Sequence, residues 1–256
     1  MPIDLRLDPA EVPLLTDLYE LTVCAAFFEH GFNETASFEV AMRRMPAGRG
    51  FMVAAGVERL IEALEDYRFD AGAIAHLASL GLFKPDFLDY LANLRFTGSV
   101  RALPEGTLYF AGEPLLEVRA PLIEAQLIET LALNQLGLAS IVATKAARCF
   151  VVAGGRRLLD FGARRAHGAD ASMSAARSSY LAGFHGSSNV LAGKRYGIPI
   201  YGTMSHSFVM AHGHERDAFN NFLESFPKRT IIFVHYRKVY TSYRDSDHVG
   251  IEPTAV

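Results

Sequence analysis

The feature that most limits the fold of this chain is an alternation of strands and helical segments after residue 155. Apolar strands are predicted at 157–161, 198–201 and 230–234, and helical patterns separate them. Strands joined through helices form right-handed crossovers, so this pattern predicts a parallel sheet or barrel. The turns after the strands are rich in Gly, Ser and Arg. In folds of this kind, ligands bind at the carboxyl ends of the strands.

The part of the chain before residue 121 shows helices and strands without this alternation. A helix is predicted from Thr16 or Asp17 to Gly31, because these residues suit a helix cap and a helix end. We therefore predict an α/β protein whose first part, up to about residue 120, is α+β and whose later part forms a parallel sheet or barrel. The further predicted elements are a strand at 36–42, helices at 56–66, 70–80 and 84–94, short strands within 97–118, and long helices at 122–136 and 140–153.

The composition excludes several classes of protein. The chain has 256 residues, is 50% hydrophobic and carries a net charge of -3. No basic block is present, so neither nucleic-acid binding nor a polybasic membrane anchor is predicted. The N-terminus lacks a signal-peptide pattern, and no run approaches the ~18 apolar residues of a membrane span, so we expect a cytoplasmic protein. Cys24 and Cys149 lie in apolar helical patterns and are predicted to be buried free thiols.

Three polar clusters follow the predicted strands, and the first contains two adjacent arginines. Arg164 and Arg165 lie among glycines after the strand that ends near Asp160. Guanidinium groups offer a fixed fork of donors that suits phosphate or carboxylate. The alternative is that both arginines lie in water or pair with surface acids.

The second cluster, at 183–189, leads into a helix. Its glycines allow a ligand to approach the backbone closely, and free amides at a helix start favour an anion. We take Ser188 as its candidate substrate-binding residue. The alternative is a capped helix start, which Ser188 or Asn189 would explain without any ligand.

The third cluster is the loop at 202–208, which places Thr203 and His206 after a strand. Histidine can act as a base, a metal ligand or a nucleophile toward phosphoryl groups. No second ligand has convincing spacing, so no metal site is predicted. A lone histidine would be assigned a structural role, but three clusters at one edge favour an active site centred on His206. His212 and His214 are predicted to be solvated, and Tyr19 by itself would be a core aromatic.

Five segments together resemble the nicotinate phosphoribosyltransferase family, in the family's order and over residues 14 to 234. They are Leu14-Leu15-Thr16-Asp17-Leu18-Tyr19, Ala143-Thr144-Lys145-Ala146-Ala147-Arg148, Phe161-Gly162-Ala163-Arg164-Arg165-Ala166, Gly186-Ser187-Ser188-Asn189-Val190-Leu191-Ala192-Gly193 and Gly202-Thr203-Met204-Ser205-His206-Ser207.

This resemblance implies an N-terminal α+β domain at 1–120 and an incomplete, irregular α/β barrel of the type II phosphoribosyltransferase kind at 121–234, and it leaves a divergent tail at 235–256. It also implies an enzyme of NAD salvage. The enzyme would join nicotinate and phosphoribosyl pyrophosphate to give nicotinate mononucleotide, with Mg²⁺ and coupled ATP hydrolysis. The resemblance implies that ATP phosphorylates His206, that Thr203 neighbours nicotinate, and that Arg165 contacts a substrate phosphate or carboxylate. It also implies that Tyr19 stacks on the pyridine ring, across a homodimer.

Two departures from the family pattern lead to alternatives. Relatives continue well beyond this length, and the later elements that hold the nicotinate carboxylate and the ribose phosphate are absent. After Val234 the chain reads His235-Tyr236-Arg237-Lys238 where the family places an acidic turn. We therefore expect a truncated or frame-shifted copy. The alternatives are an inactive fragment that pairs with a full-length subunit, or a related transferase acting on nicotinamide or quinolinate.

Overall fold

The computed structural model of the chain describes residues 9–227. The chain divides into two compact units, Met1–Ile198 and Pro199–Val256. The helices are α1 (Leu18–His30), α2 (Val57–Glu65), α3 (Ala71–Ser79), α4 (Pro85–Asn93), α5 (Leu122–Leu127), α6 (Glu129–Ala153), α7 (Ala169–Leu181), α8 (Val190–Tyr196), α9 (His206–Met210) and α10 (Glu215–Ser225). The strands are β1 (Thr35–Ala41), β2 (Met52–Val53), β3 (Ser99–Ala102), β4 (Leu108–Tyr109), β5 (Pro114–Pro121), β6 (Leu159–Asp160) and β7 (Gly186–Ser187).

The N-terminal part of the first unit is built on an antiparallel sheet in the order β1-β5-β3. Thr35 pairs with Pro121 and Ser99 pairs with Arg119, so β5 is the central strand. Helices α1 to α5 surround an apolar core that includes Leu60, Phe87, Leu116, Ile123 and Leu127. The predicted α+β arrangement of this region is confirmed, with each predicted helix and strand within about two residues of its position.

The next predicted feature is a pair of long apolar helices, and the predicted break between them is wrong. The break lies at Ile128 rather than near Gly137. Ile128 leaves helical geometry with φ −95° and ψ 0°, and α6 then runs through Gly137 without interruption. The Tyr67 hydroxyl donates to the Leu127 carbonyl at 3.1 Å, directly before the break. A glycine inside a helix costs only about 1 kcal/mol, too little to end a helix that packs well.

The first unit continues into a pair of parallel strands. Leu159 pairs with Gly186 and Asp160 pairs with Ser187, and each strand leads into a helix. The predicted strand at 157–161 is confirmed in a shorter form, and β7 replaces what was predicted only as a short connection. A parallel pair joined through a helix is the predicted crossover.

The second unit is described through residue 227 and contains α9 and α10. The strand predicted at 198–201 is wrong, because only Ile200 makes a bridge there. Pro199 has no amide hydrogen to donate to a ladder, which shortens any pairing at this point. The strand predicted at 230–234 and the tail at 235–256 lie outside the described residues, and the domain boundaries at 120 and 234 stay predictions.

The two cysteines are free thiols, but only one of them is buried as predicted. Cys24 is buried, whereas Cys149 is exposed near the end of α6.

Among the described helices, α6 alone is long and apolar enough to cross a membrane, and 33% of its most apolar window is buried. Core helices meet the same criterion, so length and composition assign no membrane role to α6.

Candidate active site

The carboxyl ends of β6 and β7 are joined by the side chain of Asp160. Its Oδ1 accepts the Gly162 amide at 2.8 Å, and its Oδ2 accepts the Ser187 hydroxyl at 2.8 Å. The Asp160 carbonyl accepts the Ser188 amide, also at 2.8 Å. One carboxylate therefore fixes the turn after β6 and the end of β7 together.

The turn that Asp160 fixes carries the paired arginines. Residues Ala163–Arg165 form a single turn of 3-10 helix, closed by the Arg165 amide donating to the Gly162 carbonyl at 2.8 Å. Arg164 and Arg165 are both exposed, and neither forms an ion pair within residues 9–227. Pairing with surface acids is therefore not observed in the described chain. The guanidinium groups are available to an anionic ligand at this strand end.

The second cluster is organised by Ser187 and Asn189 more than by Ser188. Ser187 is fully buried, and its Oγ also accepts the Asn189 amide at 3.0 Å. Asn189 is the cap of α8, since its Oδ1 accepts the Ala192 amide at 3.2 Å. The capping alternative thus explains Asn189. Ser188 is half-buried and lies at the same edge as the arginine turn, because its amide contacts Asp160.

In the second unit, His206 is the first residue of α9 and is exposed. Ser205 caps this helix, with its Oγ accepting the Phe208 amide at 3.2 Å. Thr203 is exposed two residues before the cap, and Met204 between them is buried. The cap and the buried Met204 hold the loop around the exposed His206.

His212 is not the solvated residue that was predicted. Its Nδ1 lies 2.7 Å from the Phe208 carbonyl oxygen, and its Nε2 lies 3.1 Å from Asn221 Nδ2 on α10. Its ring also contacts Phe208, with centroids 4.7 Å apart. His212 therefore joins α9 to α10 and stabilises the helix that begins at His206. His214 is exposed as predicted.

Tyr19 lies in the first turn of α1 and is 49% exposed, so it is not the core aromatic that its pattern alone suggests. Desolvation of its hydroxyl and the nearby carboxylates of Glu129, Glu20 and Asp17 raise the pKa of Tyr19 to about 12. Tyr19 is therefore a neutral phenol at physiological pH, and its side chain is half-exposed.

Sequence reasoning missed Asp160, Ser187 and His212 as residues of the site. All three contact groups at least nine residues away, which spacing alone does not reveal. Asp160 offered the clearest indication, because it is a carboxylate at the last position of an otherwise apolar strand. Buried or half-buried carboxylates need partners, so such a position predicts a local network.

The fold is that of the type II phosphoribosyltransferases. A solved structure of nicotinate-nucleotide pyrophosphorylase from Pyrococcus furiosus matches with a TM-score of 0.77 over 98% of this chain and 58% of that one, at 22% identity. Human nicotinic acid phosphoribosyltransferase matches with a TM-score of 0.71 at 43% identity, over 77% of this chain and 40% of that one. The predicted fold class is confirmed.

The chain belongs to the nicotinate phosphoribosyltransferase family. The family's N-terminal domain model matches residues 14–137, and the family model itself matches residues 156–255. Nicotinate phosphoribosyltransferases from Mycobacterium tuberculosis and Bacillus subtilis are 49% and 43% identical over 92% and 83% of this chain. The chain covers 50% and 44% of those two proteins, so it spans about half the length of the curated relatives it matches. The second match includes most of the segment predicted to be a divergent tail.

Proposed function

We propose that this chain takes part in the synthesis of nicotinate mononucleotide from nicotinate and phosphoribosyl pyrophosphate, with coupled hydrolysis of ATP. In this reaction the pyridine nitrogen forms a bond to the sugar C1, and pyrophosphate leaves with the electrons of the broken C–O bond. Membership of the family supports this function. The observation that carries it is the exposed Arg165 at the carboxyl end of β6, on a turn that Asp160 fixes in place.

The residues of the strand edge support the binding of an anion. Arg165 would contact a phosphate or carboxylate of the substrate, because its guanidinium fork matches such groups and forms no ion pair with the described residues. Ser188 would contribute a hydroxyl at the same edge. The transition state has a cationic sugar and a leaving pyrophosphate, so fixed donors near the phosphates contribute most of the stabilisation from this edge.

The remaining roles concern the pyridine ring and ATP. Tyr19 would stack on nicotinate, since its side chain is half-exposed, and Thr203 would be a neighbour of nicotinate. His206 would attack the γ-phosphorus of ATP, with ADP leaving, and water would later release the phosphate. The exposed position of His206 supports this role, because a phosphoryl donor must reach this residue.

Mg²⁺ belongs to this proposal as the companion of the substrate phosphates. Within residues 9–227 no group of three or more His, Cys, Asp or Glu side chains could hold a metal ion. Mg²⁺ usually binds through substrate phosphates, waters and one or two carboxylates, so we assign it no cage of protein ligands. We also propose a homodimer and a cytoplasmic location.

The test is an assay of nicotinate mononucleotide formation by the purified chain, with Mg²⁺ and with or without ATP. We expect His206→Ala to lose both the stimulation by ATP and the acid-labile phosphate on the protein. His214→Ala is the matched control, because His214 is exposed in the same unit. Equal ATP stimulation in the wild type and in His206→Ala would refute the role of His206.

The same assay tests the substrate class and the anion site. Nicotinamide and quinolinate in place of nicotinate distinguish a related pyridine phosphoribosyltransferase. We expect Arg165→Ala to raise the KM for phosphoribosyl pyrophosphate about tenfold or more, since hydrogen bonds to charged groups contribute about 1.5–3 kcal/mol. Arg164→Ala is the control, because Arg164 is exposed on the same turn.

A second candidate function is a subunit that has no activity alone and pairs with a longer relative. Large apolar side chains on α6 favour it, since Leu133, Leu138 and Ile141 are each more than 40% exposed in the described chain. A folded wild-type chain without activity, which gains activity only when mixed with a full-length relative, would support this candidate. It would also exclude independent catalysis.

A further inference from the structure

The helix that begins at His206, α9, has only five residues. Isolated helices shorter than about 12–15 residues are marginal in water, because they form too few hydrogen bonds to offset the ordering of their backbone. A helix as short as α9 is therefore kept in place by contacts from outside its own backbone. The position of His206 depends on the side chains that make these contacts.

Phe208, the middle residue of α9, is where these contacts meet. Its amide donates to the Oγ of Ser205 at 3.2 Å. Its ring packs against the ring of Phe222 on α10, with the centroids 5.5 Å apart. Its carbonyl oxygen lies 2.7 Å from the Nδ1 atom of His212. Phe208 is thus held through its amide, its ring and its carbonyl, two residues after His206.

The contact with His212 closes the end of α9. In a longer helix the amide of residue 212 would donate to the Phe208 carbonyl, but here that amide donates to the Val209 carbonyl at 3.1 Å. The His212 ring supplies a donor instead, and because a carbonyl oxygen only accepts, its Nδ1 carries the hydrogen. The Nε2 atom of the neutral ring is then an acceptor, and it lies 3.1 Å from Asn221 Nδ2 on α10. One tautomer of His212 therefore fits both contacts.

We infer that His212, through the hydrogen bond from its Nδ1 to the Phe208 carbonyl, is a positioning residue that holds α9 so that ATP meets His206 in a fixed place. This inference rests on the proposed function for the role of His206. In that step a ring nitrogen of His206 forms a bond to the γ-phosphorus, and the bond from this phosphorus to the bridging oxygen breaks, with its electrons going to ADP. Transfer of this kind is fast only when the attacking atom is held close to the reacting centre. His212 acts through Phe208 and is not itself a catalytic residue.

Two substitutions of His212 separate its two hydrogen bonds. An asparagine amide nitrogen takes the place of the ring Nδ1, so His212→Asn keeps a donor for the Phe208 carbonyl and loses the contact with Asn221. A glutamine amide nitrogen takes the place of the ring Nε2, so His212→Gln loses the donor for Phe208 and keeps a polar group near Asn221. The ring contact with Phe208 is lost in both variants, so it does not distinguish them.

The first measurement is the rate at which the protein gains acid-labile phosphate from ATP labelled in the γ-phosphate, with Mg²⁺ present. We expect His212→Gln to slow this rate about two- to tenfold, the effect of losing one hydrogen bond. His212→Asn should keep the rate within about twofold of the wild type, since it keeps that bond. His206→Ala gives the background. His214→Gln is the matched control, because His214 is exposed and its side chain caps no helix.

Two further measurements test the contact without ATP. The chain has nine histidines, and comparison with His212→Asn identifies the nitrogen NMR signals of the His212 ring. At about pH 8.5, where histidine side chains are ordinarily neutral, we expect the hydrogen on Nδ1 and none on Nε2. Amide hydrogen exchange followed by mass spectrometry should be faster over α9 in His212→Gln than in the wild type or His212→Asn, and unchanged over α10.

The outcomes distinguish this inference from the proposed function. If ATP does not phosphorylate the wild type, the role of His206 fails and the positioning of a phosphoryl acceptor fails with it, while the NMR signals still report the contact with Phe208. A hydrogen on Nε2 in place of Nδ1 overturns the inference whatever the function. So does a His212→Gln protein that is phosphorylated as fast as the wild type, or a His212→Asn protein that is as slow as His212→Gln. Faster exchange in His212→Gln throughout the described chain would assign His212 a merely structural role.

Discussion

Replacing Asp160 tests the joint between β6 and β7. The carboxylate accepts two hydrogen bonds, each of 2.8 Å, from the Gly162 amide and the buried Ser187 hydroxyl. Hydrogen bonds to charged groups contribute about 1.5–3 kcal/mol each, and half-exposure of Asp160 places both at the lower end. We expect Asp160→Ala to lower the free energy of unfolding by about 2–3 kcal/mol. That loss corresponds to a fall in Tm of roughly 5–10 °C for a domain of this size.

Three further variants determine whether the loss of stability comes from these contacts. Asp160→Asn keeps one acceptor for the Gly162 amide and should cost about 1 kcal/mol. Ser187→Ala removes the other partner, so the double variant with Asp160→Ala should destabilise by about 1 kcal/mol less than the sum of the two single changes. Thermal and urea unfolding followed by circular dichroism measure all four proteins. If the two single changes are fully additive in the double variant, or if Asp160→Ala is as stable as the wild type, then the Asp160 side chain does not stabilise the connection between β6 and β7.

Three other predictions concern titratable groups. Burial raises the pKa of the Glu20 carboxyl, and hydrogen bonds from Thr130 and Thr16 offset this only in part. The stability that Glu20 contributes is therefore complete below its unfolded pKa and is lost as pH rises through its folded pKa. In urea unfolding, Glu20→Gln should flatten the loss of stability above about pH 4.3. Partial burial opposes ionisation of Glu105, but hydrogen bonding and charge from Arg177 lower the pKa of its carboxyl overall. The stability that Glu105 contributes is therefore present above its unfolded pKa and is lost as pH falls through its folded pKa. Glu105→Gln should remove part of the loss of stability that acid causes below about pH 4.3. Burial, and to a lesser extent the Glu20 carboxylate, raise the pKa of the Cys24 thiol to about 12. A thiol reagent should therefore modify only the exposed Cys149 in the native chain. If mass spectrometry detects modification of both cysteines, the packing of Cys24 is contradicted.

Local patterns predicted most elements of the fold, and the failures share a physical cause. Helix α1 was predicted because capping residues and Gly31, with φ +71°, act within one turn of the chain. The break at Ile128 was missed because the groups that contact its two sides, Tyr67 and Glu20, are distant in sequence. The predicted strand at 198–201 is reduced to a bridge at Ile200, because Pro199 has no amide hydrogen to donate to a ladder.

The site residues divide in the same way, according to what each must contact. A group that meets a substrate must be exposed, and Arg165 and His206 are both exposed. Their roles were predicted from residue type and position alone, and they stay predictions. A group that positions another must be buried and satisfied, so in sequence it is a polar residue at an apolar position. Glu20 is such a case, since it shares the buried face of α1 with Leu21 and Cys24. A charge on the apolar face of a helix costs several kcal/mol unless partners satisfy it, and a chain that retains one therefore indicates a network around that position. Applied to α1, this reasoning leads from Glu20 to Thr130 at the start of α6, whose amide and hydroxyl both donate to the Glu20 carboxylate.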